Sequence, residues 1–375
     1  MKLKIYCILS TIAFLLSGCN NSFLPTNKDS EINIPSTFVS SSGNSDEINS
    51  SENNESEEDK KYDYLKFEAH EDGYYVVAGL NKNDIEEIVI PDYYKGLPVT
   101  TIKKDAFFGY QRIKKATLGK NISNIESYAF YHTGIEEITI PEKVNKITYA
   151  SFSNCNKLKN INFHENVKEI ESMSFANCIS LKKVVFPEYL SILGGTVFSG
   201  CTSLESVVIN DNLEILEGLN FNECTSLKSI VFGKKIKSIG WKAFEGCTSL
   251  KEIEIPEHIL FFESQIFKGC LSLEKVNYLA GETSEYMFSN CTSLVNISFS
   301  NNLYSIRNFT FENCTNLKEI VIPKSIEHIG ENAFKGCTSL TKIYFEGTEE
   351  QWNAIDIHEV NEDLFSKEIV FNYSK

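Results

Sequence analysis

The chain lacks the short signatures from which an enzyme is usually read. It has no His-Glu-x-x-His, no Gly-x-Ser-x-Gly, no phosphate loop and no dinucleotide-binding glycine run. There is no Cys-x-x-Cys either, although eleven cysteines are present, so a zinc site of the usual kind has no ligand set. Histidine is scarce, and His164, His258 and His328 fall at unrelated places, which gives no shared catalytic or metal-binding constellation. Positive charge is also short: 36 Lys and Arg stand against 51 Asp and Glu, a formal net charge of −15. Such a chain is repelled by nucleic-acid phosphates and by bare anionic lipid. The expectation is a protein that is not an enzyme, with no cofactor, no metal and no nucleic-acid partner.

What the sequence has instead is repetition. Cys-Thr-Ser-Leu begins at Cys201, Cys224, Cys247, Cys291 and Cys337. Counting looser copies, repeat cysteines stand at Cys155, Cys178, Cys201, Cys224, Cys247, Cys270, Cys291, Cys314 and Cys337, with intervals of 23 residues and a single one of 21. Phenylalanine keeps the same beat from Phe107 through Phe130, Phe152 and Phe175 to Phe334. A fixed period of this size marks a stacked array, in which each unit buries its apolar face only against its neighbours.

Inside the period an apolar residue is followed by two variable positions and then by apolar-x-apolar, as in Leu204, Val207, Ile209 and Leu317, Ile320, Ile322. The alternation predicts a short half-buried strand, and Gly119, Pro141, Pro187, Gly233, Pro256 and Pro323 stop it. A second apolar pair follows, as in Val144 with Ile147 and Ile236 with Ile239. Twelve such strands are expected, the first starting at Ile85 and the last at Leu340.

The unit Ala-Phe-x-Gly-Cys-Thr-Ser-Leu-Lys-Glu-Ile-x-Ile-Pro resembles the BspA-like leucine-rich repeat proteins, a bacterial surface branch of the leucine-rich repeats. The resemblance covers Tyr62 to the C-terminus. It implies a leucine-rich-repeat solenoid of about twelve rungs of roughly 23 residues. A parallel β-sheet would run along one face, with short turns or helical segments on the other and caps at both ends. The departure is that Pro follows the strand, so the usual asparagine ladder is absent and the turn must be built differently.

The repeat cysteine has three readings. Adjacent rungs lie about 4.8 Å apart, so inter-rung disulfides are not excluded by distance, since Cα separations for a bridge begin near 4.4 Å. In-register side chains, however, point in parallel, and nine thiols cannot all pair. Metal lacks its ligand pattern. A small buried hydrophobe in a repeated slot is therefore the expectation.

The first residues speak of location. Met1 to Lys4 is basic, Ile5 to Leu16 is apolar, and Leu16-Ser17-Gly18-Cys19 follows. The apolar run is too short to span a membrane and fits a secretory leader over residues 1–18. The tetrapeptide resembles a bacterial lipobox, which implies lipid attachment at Cys19 and, since Asn20 is not Asp, outer-membrane sorting in a diderm cell. Two or three acyl chains would anchor it stably. Between Asn20 and Lys60 there are ten Ser, eight Asn and nine acidic residues against two Lys. That composition cannot bury enough apolar surface to offset ordering, so residues 19–61 read as a tether.

The ends of the array have their own signals. Residues 62–104 hold an expected hairpin about Glu71-Asp72-Gly73 and the first rung. Residues 105–345 are the repeats, and residues 346–375 are a C-terminal cap in which Thr348 and Gln351 can form a capping box. The short rung Tyr278 to Phe288 reads either as a distortion of the stack or as a specialised loop.

Two outward rows remain. Third positions run Glu87, Lys115, Glu137, Asn160, Lys183, Ser206, Ser229, Glu252, Lys275, Asn296, Glu319, Lys342, with no like charges on adjacent rungs. In the fifth positions Val185, Val208 and Val231 follow one another, bordered by Lys183 and Glu254. Either these valines simply favour strand, or they form an exposed apolar strip for contact. The resemblance implies adhesion. The expected protein is a lipid-anchored, extracytoplasmic binding scaffold on the cell or outer membrane whose partner is a protein of a host or of a neighbouring bacterium. A self-associating surface protein is the alternative, and a hydrolase with an unrecognised site the remote one.

Overall fold

The computed structural model describes residues 57–374. Cys19, the leader and the tether up to Ser56 lie outside them. The described chain winds into about 13 turns of parallel β-solenoid with little helix. Twelve turns carry the expected face strands, from Glu87–Val89 to Lys342–Phe345, the rung of Lys183 being held by a single bridge to Ser206. The thirteenth is Glu368–Val370, which adds in parallel to Lys342–Phe345.

Three inter-rung hydrogen-bond ladders hold the stack. The first is the face sheet, where Glu137, Ile138 and Thr139 register with Asn160, Ile161 and Asn162, and rungs further along repeat the pattern. Its strands alternate exposed, buried, exposed, as the period-2 reading requires. The second ladder is built from the second apolar pair as two-residue strands, such as Lys146–Ile147, Glu169–Ile170 and Ile192–Leu193. Val144, Ile147, Ile236 and Ile239 all point into the core.

The third ladder runs through the turn around each phenylalanine. Residues two before and two after it take positive φ: Tyr128 (61°) and His132 (55°) flank Phe130, and Leu219 (60°) and Glu223 (58°) flank Phe221. Alternating hand points successive N–H groups the same way. Tyr128, Phe130 and His132 accordingly donate to the carbonyls of Tyr149, Ser151 and Ser153 in the next rung. A left-handed residue other than glycine costs roughly 1–2 kcal/mol. Here each such turn forms inter-rung bonds and buries one phenylalanine completely.

Those phenylalanines form a continuous stack in the core. Successive rings from Phe107 to Phe334 lie with centroids between 5.1 Å (Phe107–Phe130) and 5.8 Å (Phe288–Phe311). All eleven are essentially inaccessible to solvent. Beside them lie the nine repeat cysteines, every one free and buried. Each thiol donates to the carbonyl of the previous rung's phenylalanine, from Cys155 to Phe130 (3.1 Å) through Cys247 to Phe221 (3.3 Å) to Cys337 and Phe311 (3.1 Å). The slot thus needs a small apolar body with a weak donor, which is cysteine's chemistry.

The two ends of the stack close differently. The hairpin Leu65–His70 with Tyr74–Leu80 is antiparallel about Gly73 (φ +80°). It extends the second ladder, through Tyr74–Leu80 beside Leu97–Ile102. The face edge is closed instead by Tyr64, whose hydroxyl accepts from Val89 N–H at 2.9 Å and donates to Val89 C=O at 3.2 Å. The described residues begin inside the expected tether, with a helical turn Glu57–Lys60 whose Asp59 carboxylate accepts from the Lys95 N–H. At the far end Thr348 and Gln351 form the capping box of the helix Glu349–Asn353, which buries Trp352 against Phe345. Asn361 then accepts from Ala333 N–H and donates to Gly330 C=O, satisfying the last repeat.

The short rung is a distortion absorbed by the stack. Tyr278 fills the space of the missing residues, fully buried between Phe262, Phe288 and Phe299, with its hydroxyl donating to the Glu282 carbonyl. Inter-rung bonds continue across it, from Leu279 N–H to Ile255 and from Thr283 N–H to Ser305.

Candidate binding face

The face sheet positions its outward side chains by pleat alone: with Val207 and Ile230 buried, their neighbours on either side must face solvent. Val185, Val208 and Val231 are 64%, 60% and 55% exposed, and Val208 registers directly with Val231. Lys183 registers with Ser206 at one end of this strip. Glu254 stands at the other end and accepts from the Asn277 amide at 2.9 Å. The structure therefore brings all five predicted residues onto four consecutive rungs of one surface. Between Ser229–Val231 and Glu252–Ile255 the face passes from one sheet to the next, and a shallow groove opens there, lined by Ser229, Glu252, Glu254 and Lys275.

The position just before the third behaves differently. Lys114 pairs with Glu86, Lys159 with Glu136 and Lys228 with Glu205, each within 2.7–2.9 Å across one rung. Each lysine's hydrogen bond and charge hold its glutamate below the ordinary carboxylate range. These exposed pairs set charge pattern more than stability.

The second ladder exposes apolar residues that the sequence reading did not single out. Ile192, Ile215, Leu260 and Phe261 are 54%, 52%, 56% and 66% exposed. A signal was present: Ile192-Leu193, Ile215-Leu216 and Phe261-Phe262 are apolar doublets in two-residue strands, and only one member can face inward. The histidines stay dispersed, His258 against the Gly233 carbonyl and His328 against Asp356. Among the described residues no group of His, Cys, Asp or Glu is placed to hold a metal ion, and no helix is long and apolar enough to cross a membrane.

The BspA type leucine rich repeat region is matched in six copies over residues 80–203, 168–284 and 280–367. Among solved structures, a leucine-rich repeat protein of Bacteroides ovatus is similar at 25% identity and TM-score 0.54, covering 82% of this chain and 98% of the other. A leucine rich cell surface protein of Faecalibacterium prausnitzii matches at 23% identity and TM-score 0.48, covering 78% and 96%. No curated protein matches the chain. A repeat matched across most of its length, on a solenoid whose core that repeat builds, makes this chain a member of the BspA-type leucine-rich repeat family of bacterial surface proteins.

Proposed function

We propose that the chain is a lipid-anchored surface scaffold that binds a partner protein through its face sheet, without catalysis. The observation that carries this is the apolar strip of Val185, Val208 and Val231, three neighbouring side chains more than half exposed on adjacent rungs. Exposed apolar strips of this kind mark contact sites, and solenoids use their extended faces for binding. Lys183 and Glu254 supply a polar border at either end. The partner class, a host extracellular protein or the surface of a neighbouring bacterium, comes from the family.

Anchoring through Cys19 rests on the leader sequence and would hold the solenoid outside the cell at the end of a polar tether. The non-catalytic reading rests on the uniform repeat, whose buried thiols donate to backbone carbonyls of the neighbouring rung.

Adhesion tests the proposal. Cells displaying the chain should adhere to an immobilised extracellular-matrix extract or to a layer of a co-resident bacterium, and the soluble chain should compete. Retention no greater than for cells lacking the chain, on both surfaces, would contradict it.

A further inference from the structure

The third-position row of the face reads as its own charge complement from the two ends. Glu87 at one end answers Lys342 at the other, Lys115 answers Glu319, and Lys183 answers Glu252; each remaining pair joins a charge to an asparagine or serine to serine. The row holds four Glu and four Lys, so it is neutral on a chain of net charge −15. It is therefore a surface on which two copies can approach without the repulsion that the whole chain carries.

From this we propose that the face binds a second copy of the chain, face to face, about a two-fold axis parallel to the strands and lying between the rungs of Val208 and Val231. The inference rests on the reading of the face as the binding surface: a second copy occupies that face in the free protein, and a protein partner competes with it for the same valines. Such an axis reverses the order of the rungs and keeps the rows aligned. Lys183 of each copy then meets Glu252 of the other, and Val208 meets Val231, each contact made twice as an isologous interface requires.

Two observations favour this occupant. First, the charges in this row are free for it. Among the described residues only Lys342 of the eight forms an ion pair within the chain, with Glu368, whereas the preceding row pairs Lys114, Lys159 and Lys228 internally. Opposite charges do lie in register along the row, Glu252 beside Lys275, yet their side chains do not close into ion pairs. Second, the area suffices. Twelve rungs at about 4.8 Å and three residues at about 3.3 Å outline roughly 570 Å² per copy before side-chain relief, or about 1,140 Å² over both copies, which clears the roughly 1,000 Å² that a specific interface needs. The fifth row fits the same axis, with Val185 opposite Glu254 as its mismatch.

The test is sedimentation equilibrium of the full chain in detergent, with circular dichroism to confirm that each variant keeps its fold. The chain should sediment as a concentration-dependent dimer. Lys183→Glu alone and Glu252→Lys alone each place like charges opposite one another twice, and each should weaken self-association at least about tenfold. An equimolar mixture of the two variants should regain a dimer, because each then meets its complement. A monomer up to about 100 µM, folded single variants that dimerise as the parent does, or a mixture that stays monomeric would each overturn the proposal. A monomer would leave the adhesion reading to its own assay, so the two fail separately.

Discussion

The thiol of Cys224 donates to the carbonyl of Phe198, one rung back, over 3.2 Å. The Cys224 amide donates to the carbonyl of Phe221 in its own rung, so a single residue ties two members of the phenylalanine stack together. Phe221 accepts in turn from the thiol of Cys247. The repeated cysteine is a rung-to-rung fastener, buried from solvent at every copy.

Removing one fastener should be costly. Cys224→Ala takes away a buried sulfur and its donor, and a loss of about 1–2 kcal/mol is expected. Cys224→Val, which overfills the slot, should cost a similar amount. Thermal and denaturant unfolding of the variants against the parent measure both. Changes below about 0.5 kcal/mol would mean that the slot is loose.

The same burial makes the fold sensitive to alkali. It holds the thiols protonated, pushing Cys155 up to about 11 and Cys201, Cys270 and Cys337 to about 12. Unfolded thiols ionise near pH 8.5. Stability is therefore complete below that pH and falls as pH rises toward the folded-state values, at up to roughly 1.4 kcal/mol per pH unit for each thiol. With nine buried cysteines the melting temperature should fall steeply as pH rises above about 8.5. Circular dichroism along a pH series checks this, and a melting temperature unchanged between pH 7 and 10 would contradict it.

Much of this was legible in the sequence, and the reasons differ by element. Leu204, Val207 and Ile209 announced a half-buried strand because alternation has one geometric reading. Thr348 and Gln351 announced their cap because the motif is local. The left-handed turns were not legible. Tyr128, Ala150, Met173 and Leu219 carry no turn signature, and their conformation is imposed by hydrogen bonds to the next rung. The hydrogen-bonding role of the cysteine was hidden for the same reason, since its acceptor lies a whole period away. The face row was readable by pleat, whereas Ile192 and Phe261 were masked by their apolar partners.

Tyr64 protects the first strand edge. Tyr64→Phe removes the hydroxyl that serves both polar groups of Val89. A loss of about 0.5–1.5 kcal/mol is expected, with faster amide exchange at Val89 than in the parent. Equal exchange rates would show that the hydroxyl does not guard the edge.

Cys19→Ser should abolish metabolic labelling of the chain by a fatty-acid probe and release it from the membrane fraction. A serine variant that keeps its label and stays in the membrane would remove Cys19 as the anchor.

Capture by the valine strip tests the binding face itself. Thr preserves the β-branched shape of Val while adding a polar group. The triple variant Val185→Thr, Val208→Thr, Val231→Thr should therefore fold as the parent does, each exposed change costing within about 0.5 kcal/mol. Retention on the matrix extract or the bacterial layer should fall at least about tenfold if these contacts are a hot spot. Val295→Thr, a partly exposed valine outside the strip, should leave retention unchanged. Undiminished retention by a well-folded triple variant would contradict the account and leave the three valines as strand formers alone.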